Sequence, residues 1–596
     1  MQITLVKRIG IRMKTSEETM NTDLNKPLIR LKKMLYNLKS TITKIGFGAV
    51  IALLVGCNNN VENDAASNQK AKVGIEIIES GYDNLAPASR AVSSNSDNQK
   101  SVVDFNDCGA STELVPDQSS KEPATRAITG NTHYTIRFYE GSTRVGELKG
   151  RMNGSTFTPD AGTSNQLFLM RGKTYTFVCF NDDVVANGES LEVSLDKAAT
   201  ARIGRQTVTT GTTWAQETVK IISKHAGVRV RTQIQAQKHT VKDFKAKFLS
   251  NSTNIPNKVS YNPVTGVYTT LSTAALAASE NNSPNSTEAR YTASGYGKNF
   301  SYTSTAPFHY LLPGTDAKNL KMDISEGQIF WKNMEGSINS LVSAGKVLEA
   351  NGTYTIAVKI KPYFTYLFSD GTTGLLHKNP GKTPVGVVVD PANHLAAAIE
   401  EAGNGTKYMF AERLYDYKIQ SSHAISDAGG IGVSSASRYY REFSTSGYDE
   451  TWNASYAGAD VLPADKVRGE SDNFPAFKAA ATFHPTAVLT GTLATKKWFL
   501  PSQRDYFHAY DLLGFADRVC DIGRLNLRYL WYGYLFESAF TAVGGVPFVG
   551  DTDENTYWTS TSHNGGSRFE PNPRYVGTPT NYSWLKYKVR SFVQYD

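Results

Sequence analysis

Between Lys44 and Cys57 the chain reads K-I-G-F-G-A-V-I-A-L-L-V-G-C, and this stretch decides which residues are available to fold. Eleven apolar or small residues, Ile45 to Val55, follow a basic segment and end at a Gly-Cys pair. A membrane-spanning helix needs ~20 apolar residues, so the run is too short to cross a bilayer. Its length and basic flank match the apolar region of a secretory signal peptide. A buried core helix is the competing reading, but the polar N-N-N-V-E-N-D that follows Cys57 favours export. The folded body is therefore expected downstream of Cys57. A signal peptide of ordinary length would begin at Met34, which makes residues 1–33 a misassigned start.

Charge supports the same division. The 596-residue chain carries a formal +8, which would suit nucleic acid if it were spread over the folded body. Residues 1–56 hold ten Lys/Arg against three Asp/Glu and so account for +7 of it. The remainder is close to neutral and has no basic footprint for nucleic acid. The length suggests about three or four domains. The four cysteines are Cys57, Cys108, Cys179 and Cys520. If Cys57 is modified, three scattered thiols remain, with no C-x-x-C or Cys/His cluster, so neither a disulfide scaffold nor a zinc site is expected. Cys179 sits in an alternating run and reads as a small core hydrophobe.

After a polar tether to about Ala71, Val73–Ile78 reads as a short strand, and Val102–Phe105 as a second apolar patch. From His133 the chain is β-rich: H-Y-T-I-R-F-Y, L-F-L-M-R-G-K-T-Y-T-F-V-C-F, E-S-L-E-V-S-L and E-T-V-K-I-I-S are strands separated by Gly, Asn and Asp turns. A sandwich is expected there. A second β unit opens at Gly227 with G-V-R-V-R-T-Q-I-Q-A and closes with N-G-T-Y-T-I-A-V-K-I-K-P at Pro362; its Ser/Asn/Thr-rich stretch Leu271–Thr305 reads as surface loop. From Tyr363 the text turns α+β and aromatic. T-P-V-G-V-V-V is a buried strand, P-A-N-H-L-A-A-A-I-E-E-A-G a short helix with a Gly stop, and F-P-A-F-K-A-A-A-T-F a second helix. A strand ends at Trp498, and a third helix begins at Ser502, with Asp505 placed for a capping box. Y-W-T-S-T and V-R-S-F-V-Q-Y are the last strands.

Leu54-Val55-Gly56-Cys57 resembles a bacterial lipobox, in which the cysteine thiol is acylated and becomes the new N-terminus. The segment from Val73 to Pro362 resembles the fimbrillin-type (type V pilin) lipoproteins of Bacteroides-like bacteria, through the lipobox, T-R-A at Arg126, G-K-T-Y-T-F, A-G-V-R-V, L-L-P-G and G-T-Y-T-I-A-V-K-I in that order. From Leu367 to the end, L-F-S-D-G, V-G-V-V-V, W-F-L-P-S, Y-W-T-S-T and V-R-S-F-V resemble a small surface-protein domain related to C-type-lectin-like folds. The resemblances imply a mostly β protein: residues 1–57 signal peptide and lipobox, 58–126 tether and N-terminal pro-strand region, 127–225 and 226–362 two tandem β-sandwich pilin-type domains, and 363–596 an α+β C-type-lectin-like domain.

In such pilins an N-terminal strand fills a groove until an arginine-specific protease cuts behind it, and a neighbouring subunit's strand then takes the place by strand addition. The resemblance implies two candidate cuts in polar surroundings: Arg126 before Ala127, favoured for its T-R-A match, and Arg90 before Ala91. Ordinary solvated arginines in a linker are the bland reading. The donor strand usually comes from the subunit's C-terminal end, but the corresponding residues Tyr354–Ile360 run straight into a further domain. A terminal, adhesive tip subunit is therefore expected. Its partners would be other pilin subunits through donor-strand pairing, outer-membrane lipid through acylated Cys57 before processing, and a surface glycan or protein ligand. The rival is a stand-alone surface lipoprotein that binds glycan or protein.

Glu570-Pro571-Asn572 copies the sugar-selecting triplet of calcium-dependent lectins, but the downstream W-N-D is replaced by Trp584-Leu585-Lys586, so a chance triplet is the better reading. Asp551, Asp553 and Glu554 read as a solvated acidic turn. Aromatic residues that would stack on a ligand include Tyr439, Tyr440, Trp452, Trp531, Tyr532, Tyr534, Tyr557, Tyr575 and Tyr582, whereas Trp498 and Trp558 belong to strand motifs and read as core. No G-x-S-x-G, H-E-x-x-H, P-loop or dinucleotide fingerprint occurs, and the ten histidines are dispersed. No enzyme, cofactor or metal site is expected.

Overall fold

In the computed structural model, residues 69–84, 101–105, 108–117, 128–154, 156–162, 167–212, 216–286, 296–343, 345–415, 418–425, 444–515, 528–550, 553–562 and 565–596 are described. The architecture is mostly β, with 46% strand and 15% helix among the described residues. Alternating side chains explain the first sheet. Its eight strands run in the order Thr156–Pro159, Thr143–Gly154, Ile128–Glu140, Thr174–Asn181, Arg202–Thr209, Glu217–His225, Lys70–Glu79, Leu167–Met170. Ile136, Phe177, Cys179 and Ile221 face one core, and Tyr139, Val178, Phe180 and Ile203 the other. Cys179 is fully buried, and burial pushes its thiol up to about 12, so it packs as an inert hydrophobe.

The second of these cores is closed by a four-stranded sheet made from Val185–Asn187, Ser190–Ser194, Ile255–Tyr261 and Tyr268–Ala274. That sheet takes strands from both sides of residue 226, because Leu191–Ser194 pairs with Lys258–Tyr261. A seven-stranded sheet, centred on Val228–Ala236 and Gly352–Pro362, packs against a five-stranded one built on Lys242–Ser250 and Leu320–Ile329. Phe105, Val230, Ile234, Phe248, Met322 and Ile356 fill the space between them.

Two strand assignments from sequence change. Cys108–Pro116 looks like polar linker, yet it is a strand paired over nine residues with Gly352–Pro362. Its polarity is satisfied laterally: Glu113 pairs with Lys359, and just beyond its end Asp117 pairs with Arg231 at 2.7 Å. The stretch Leu271–Thr305, expected as loop, is strand at both ends, Tyr268–Ala274 and Tyr302–Thr305.

In the C-terminal part a six-stranded sheet is buried on both faces. Val387 and Val389 point to one core and Val385 to the other, which accounts for the nearly continuous apolar run of Pro384–Asp390. The helix expected at Pro391–Gly403 is corrected: Leu395–Ala398 is a strand, paired with Pro384–Asp390 on one side and Phe592–Gln594 on the other. Leu-Ala-Ala-Ala has high helix propensity, but four consecutive buried positions between two strands override it. The turn before it is set by Asp390, whose carboxylate accepts the backbone N–H groups of Ala392 and Asn393. Helices Pro475–Ala481 and Gln503–Leu513 form as expected. Ser502 accepts from the Asp505 N–H, and Asp505 accepts from the Ser502 N–H at 2.8 Å, completing the capping box.

Candidate functional site

Cys57, Arg90, Ala91, Arg126 and Ala127 lie outside the described residues. The strands before each arginine are described, however, and both are built into sheets that the rest of the chain completes. Lys70–Glu79 runs parallel to Glu217–His225 over seven residue pairs and antiparallel to the short edge strand Leu167–Met170. Val73 and Ile77 enter the same core as Phe177 and Ile221, because alternate residues of a strand share a face. Beyond it, Tyr82 stacks on His225 with ring centroids 3.8 Å apart, and Asp83–Asn84 pairs with Gly352–Thr353. Burial and the neighbouring Arg202 and Arg229 push His225 down to about 3, so the stacked ring is neutral.

The second segment is Ser101–Asp104 with Cys108–Pro116, which extends the seven-stranded sheet to its edge. Cys108 and Ala110 are buried, and a Cβ at Gly109 would lie 2.5 Å from the Tyr363 hydroxyl, so a larger residue there would displace that ring. Asp104 reaches Lys378 at 3.2 Å and His377 at 3.4 Å. Its slight burial opposes ionisation, but hydrogen bonds from Lys378 and His377 prevail and hold the carboxyl below its usual range. This segment thus touches the C-terminal part of the molecule. Nearby, Lys361, Tyr363, Phe364, Tyr366, Leu376 and His377 contribute to a mainly apolar cavity of about 390 Å³.

Between Gly352–Pro362 and the C-terminal residues the joint is firmly packed. The hairpin tip Phe330–Trp331 holds two bulky residues at positive φ, 53° and 61°. That conformation costs about 1–2 kcal/mol per residue, and packing offsets the cost: Phe330 meets Phe515 at 5.1 Å, and Lys238 lies over Trp331 at 4.4 Å. Tyr532 lies in the same joint, its hydroxyl 2.7 Å from His239 Nδ1. Tyr532 and Leu535 belong to the same core as Val230 and Ile356.

The sequence-level aromatic candidates sort by burial. Trp531, Tyr532 and Tyr557 are buried, as are the strand-motif residues Trp498 and Trp558. Trp452 is half-buried and donates to the Trp498 carbonyl at 2.9 Å. Tyr534 and Tyr575 are half-buried, Tyr582 is exposed, and Tyr439 and Tyr440 lie outside the described residues. Of the acidic turn, Asp551 is outside them and Glu554 is exposed. Glu570 is ion-paired with Arg568, its Oε1 2.8 Å from Nε, and the Asn572 carbonyl accepts from Trp531 Nε1 at 2.6 Å. The E-P-N triplet therefore shapes a turn. Among the described residues no group of three or more His, Cys, Asp or Glu is arranged to hold a metal.

The terminal V-R motif proves to be a core device. Arg590 is fully buried, donates to the Ile399 carbonyl at 2.9 Å and lies 3.3 Å from Glu401, which also accepts from Tyr557 at 2.5 Å and Lys588 at 3.3 Å. A second buried pair joins Arg468 to Glu450, which also accepts from Ser421 at 3.0 Å. Burial pulls the Arg468 guanidinium down to about 9. Sequence reasoning missed both pairs, since neither partner is near the other in the chain. A small polar cavity of about 120 Å³ beside the capped helix is lined by Asp390, Arg504, Asp505 and His508, with His508 Nδ1 3.1 Å from Asp390.

No family model matches the chain, and no curated protein does. Among solved structures it is similar to a provisionally named cell adhesion protein from Bacteroides ovatus, at 12% identity and TM-score 0.28, covering 48% of this chain and 92% of that one. A fimbrial protein from Bacteroides vulgatus matches at 13% identity and TM-score 0.25, over 39% of this chain and 91% of that one. Another fimbrial protein from Bacteroides ovatus matches at 9% identity and TM-score 0.20, over 88% of this chain and all of that one. The structural neighbours are thus adhesion and fimbrial proteins of Bacteroides, but at such TM-scores the likeness assigns neither an activity nor a partner.

Proposed function

We propose that this chain is an exported surface lipoprotein, acylated at Cys57, that becomes the terminal ligand-binding subunit of a pilus. The observation that carries this reading is the position of Gly352–Pro362. It is the last strand before the C-terminal part, lies between Val228–Ala236 and Cys108–Pro116, is almost entirely buried, and is joined by Tyr363–Phe364 alone to the next strand, Thr365–Phe368. Such a strand cannot be donated without splitting the seven-stranded sheet at its centre. The strands Lys70–Glu79 and Ser101–Pro116, by contrast, precede the candidate arginines and leave grooves when removed. On this reading the subunit accepts a strand and, among the described residues, has none to give, which is the requirement for the end of a polymer.

The two cuts differ in consequence. Cleavage after Arg90 frees Lys70–Glu79 and the short Asp83–Asn84 pairing, opening the eight-stranded sheet. Cleavage after Arg126 also frees Cys108–Pro116 and strips one whole side of Gly352–Pro362. The domain division at 127–225, 226–362 and 363–596 belongs to the same proposal, with incoming subunits pairing to the first two and the last facing outward. The test is N-terminal sequencing of the surface form together with immunogold labelling of isolated pili. A start at Ala127 or Ala91 and labelling at filament ends are expected. Labelling along the shaft defeats the tip assignment, and a retained acyl-Cys57 with no filament association favours a stand-alone surface lipoprotein.

A further inference from the structure

In the described C-terminal residues, the large aromatic side chains are mostly committed to the core, Trp498, Trp531, Trp558, Tyr506 and Tyr557 among them. Tyr582 and Trp584 depart from this, 54% and 38% exposed. They flank Ser583, which is fully buried and whose carbonyl accepts the N–H groups of Phe410 at 2.9 Å and Ala411 at 3.2 Å. The Leu585 N–H closes the turn on the Tyr582 carbonyl at 3.2 Å. Anchoring the middle residue inward turns both neighbours outward on a backbone that is already ordered. Their ring planes differ by 19° with centroids 6.0 Å apart, too far for eclipsed stacking, so the rings are offset and nearly parallel. At one side the Arg413 guanidinium lies 5.6 Å from the Trp584 ring, and Leu414 beside it is 76% exposed. Arg413 makes no ion pair with a carboxylate among the described residues, and exposed Lys586 adds a second positive charge two residues beyond Trp584.

Nearly parallel aromatic faces in water suit a flat apolar ligand surface, and the C–H face of a pyranose ring is one. A guanidinium at the rim with no carboxylate partner among the described residues suits a bidentate carboxylate. The patch is a handful of side chains, whereas a stable protein interface uses about 20–30 residues a side, so its size favours an oligosaccharide over a folded protein. We propose that Tyr582, Trp584 and Arg413 form a subsite for an acidic sugar, a uronic- or sialic-acid-type residue of a surface glycan. The inference rests on reading the C-terminal part as the ligand-binding end.

The test applies the full-length mature protein to an array carrying uronic- and sialic-acid oligosaccharides beside neutral oligosaccharides of equal length. Retention on acidic spots is expected, with a Trp584→Ala variant losing about tenfold or more in affinity. Arg413→Gln is expected to bind acidic and neutral spots alike. Both side chains are exposed, so unchanged melting curves verify folding, and Tyr582→Ala gives an independent variant of the same face. No retention on any spot, or undiminished binding by Trp584→Ala, overturns the subsite; binding without acidic preference overturns the role of Arg413. Pilus incorporation of Trp584→Ala is read separately. A variant that assembles but does not bind supports the subsite, whereas failure of the parent protein to assemble counts against the pilus reading alone.

Discussion

The eight-stranded sheet takes one of its inner strands from Lys70–Glu79, a segment separated from the next strand of that sheet, Ile128–Glu140, by both Arg90 and Arg126. The six-stranded sheet of the C-terminal part is finished instead by Phe592–Gln594, which lies between Leu395–Ala398 and Trp498–Phe499. The adjacent Arg590 locks that strand through Glu401. One sheet thus depends on a strand that a single backbone cut would detach from the chain behind it. The other is closed by Phe592–Gln594 and held by buried charge. The two solutions teach that completeness of a fold is not the same as permanence of its parts.

The largest expected effect breaks the permanent half. Arg590→Met leaves Glu401 with Lys588 and Tyr557 but without its fully buried partner, and should cost about 3–5 kcal/mol. Denaturant unfolding followed by tryptophan fluorescence would read it, and an unchanged midpoint would mean that the pair does not lock the sheet. Ile77→Ala, in the removable strand, should cost about 2–5 kcal/mol in the uncut protein, because Ile77 is fully buried. If cleavage after Arg90 or Arg126 removes that strand, as proposed above, the cut form of the mutant should match the cut parent in stability; an equal penalty there would show that the strand stays in place.

Smaller effects sharpen the comparison at its borders. Ser502→Ala removes a helix cap inside the C-terminal part and should cost about 1 kcal/mol. Asp104→Asn weakens a contact that is partly exposed, so its cost should stay below about 1 kcal/mol. The sharper readout is hydrogen exchange across Cys108–Pro116, which should quicken if Asp104 helps hold that strand. The last effect is one of pH. His133 lies 2.6 Å from Asp182 and 3.0 Å from Asp160, and these carboxylates, Asp182 first, raise its pKa against the opposing effect of burial. A raised folded value means that the contribution is complete below the ordinary value of about 6.5 and is lost as pH rises through the folded pKa. Melting temperatures of the parent and His133→Gln should therefore differ most on the acidic side and converge on the alkaline side. A constant gap would rule out the ion pairs as its source.

Much of this architecture was legible wherever the signal is local. Strand alternation at Val228–Ala236, the cap formed by Ser502 and Asp505, and the helix Pro475–Ala481 all arise from residues within a few positions of one another. The sequence determined by itself that the chain is mostly β, that its basicity is confined ahead of Cys57, and that an aromatic α+β part follows Pro362. Tertiary structure alone decided the rest. Cys108–Pro116 is a strand because Gly352–Pro362 offers it nine backbone partners, and Leu395–Ala398 is a strand because two neighbours bury it on both edges. Tyr582 and Trp584 face outward because Ser583 is held by Phe410 and Ala411, far away in the chain. Hydrogen-bond partners, buried charge pairs and exposed faces are relations between distant residues, and a local pattern of polarity carries no record of which distant residue will arrive.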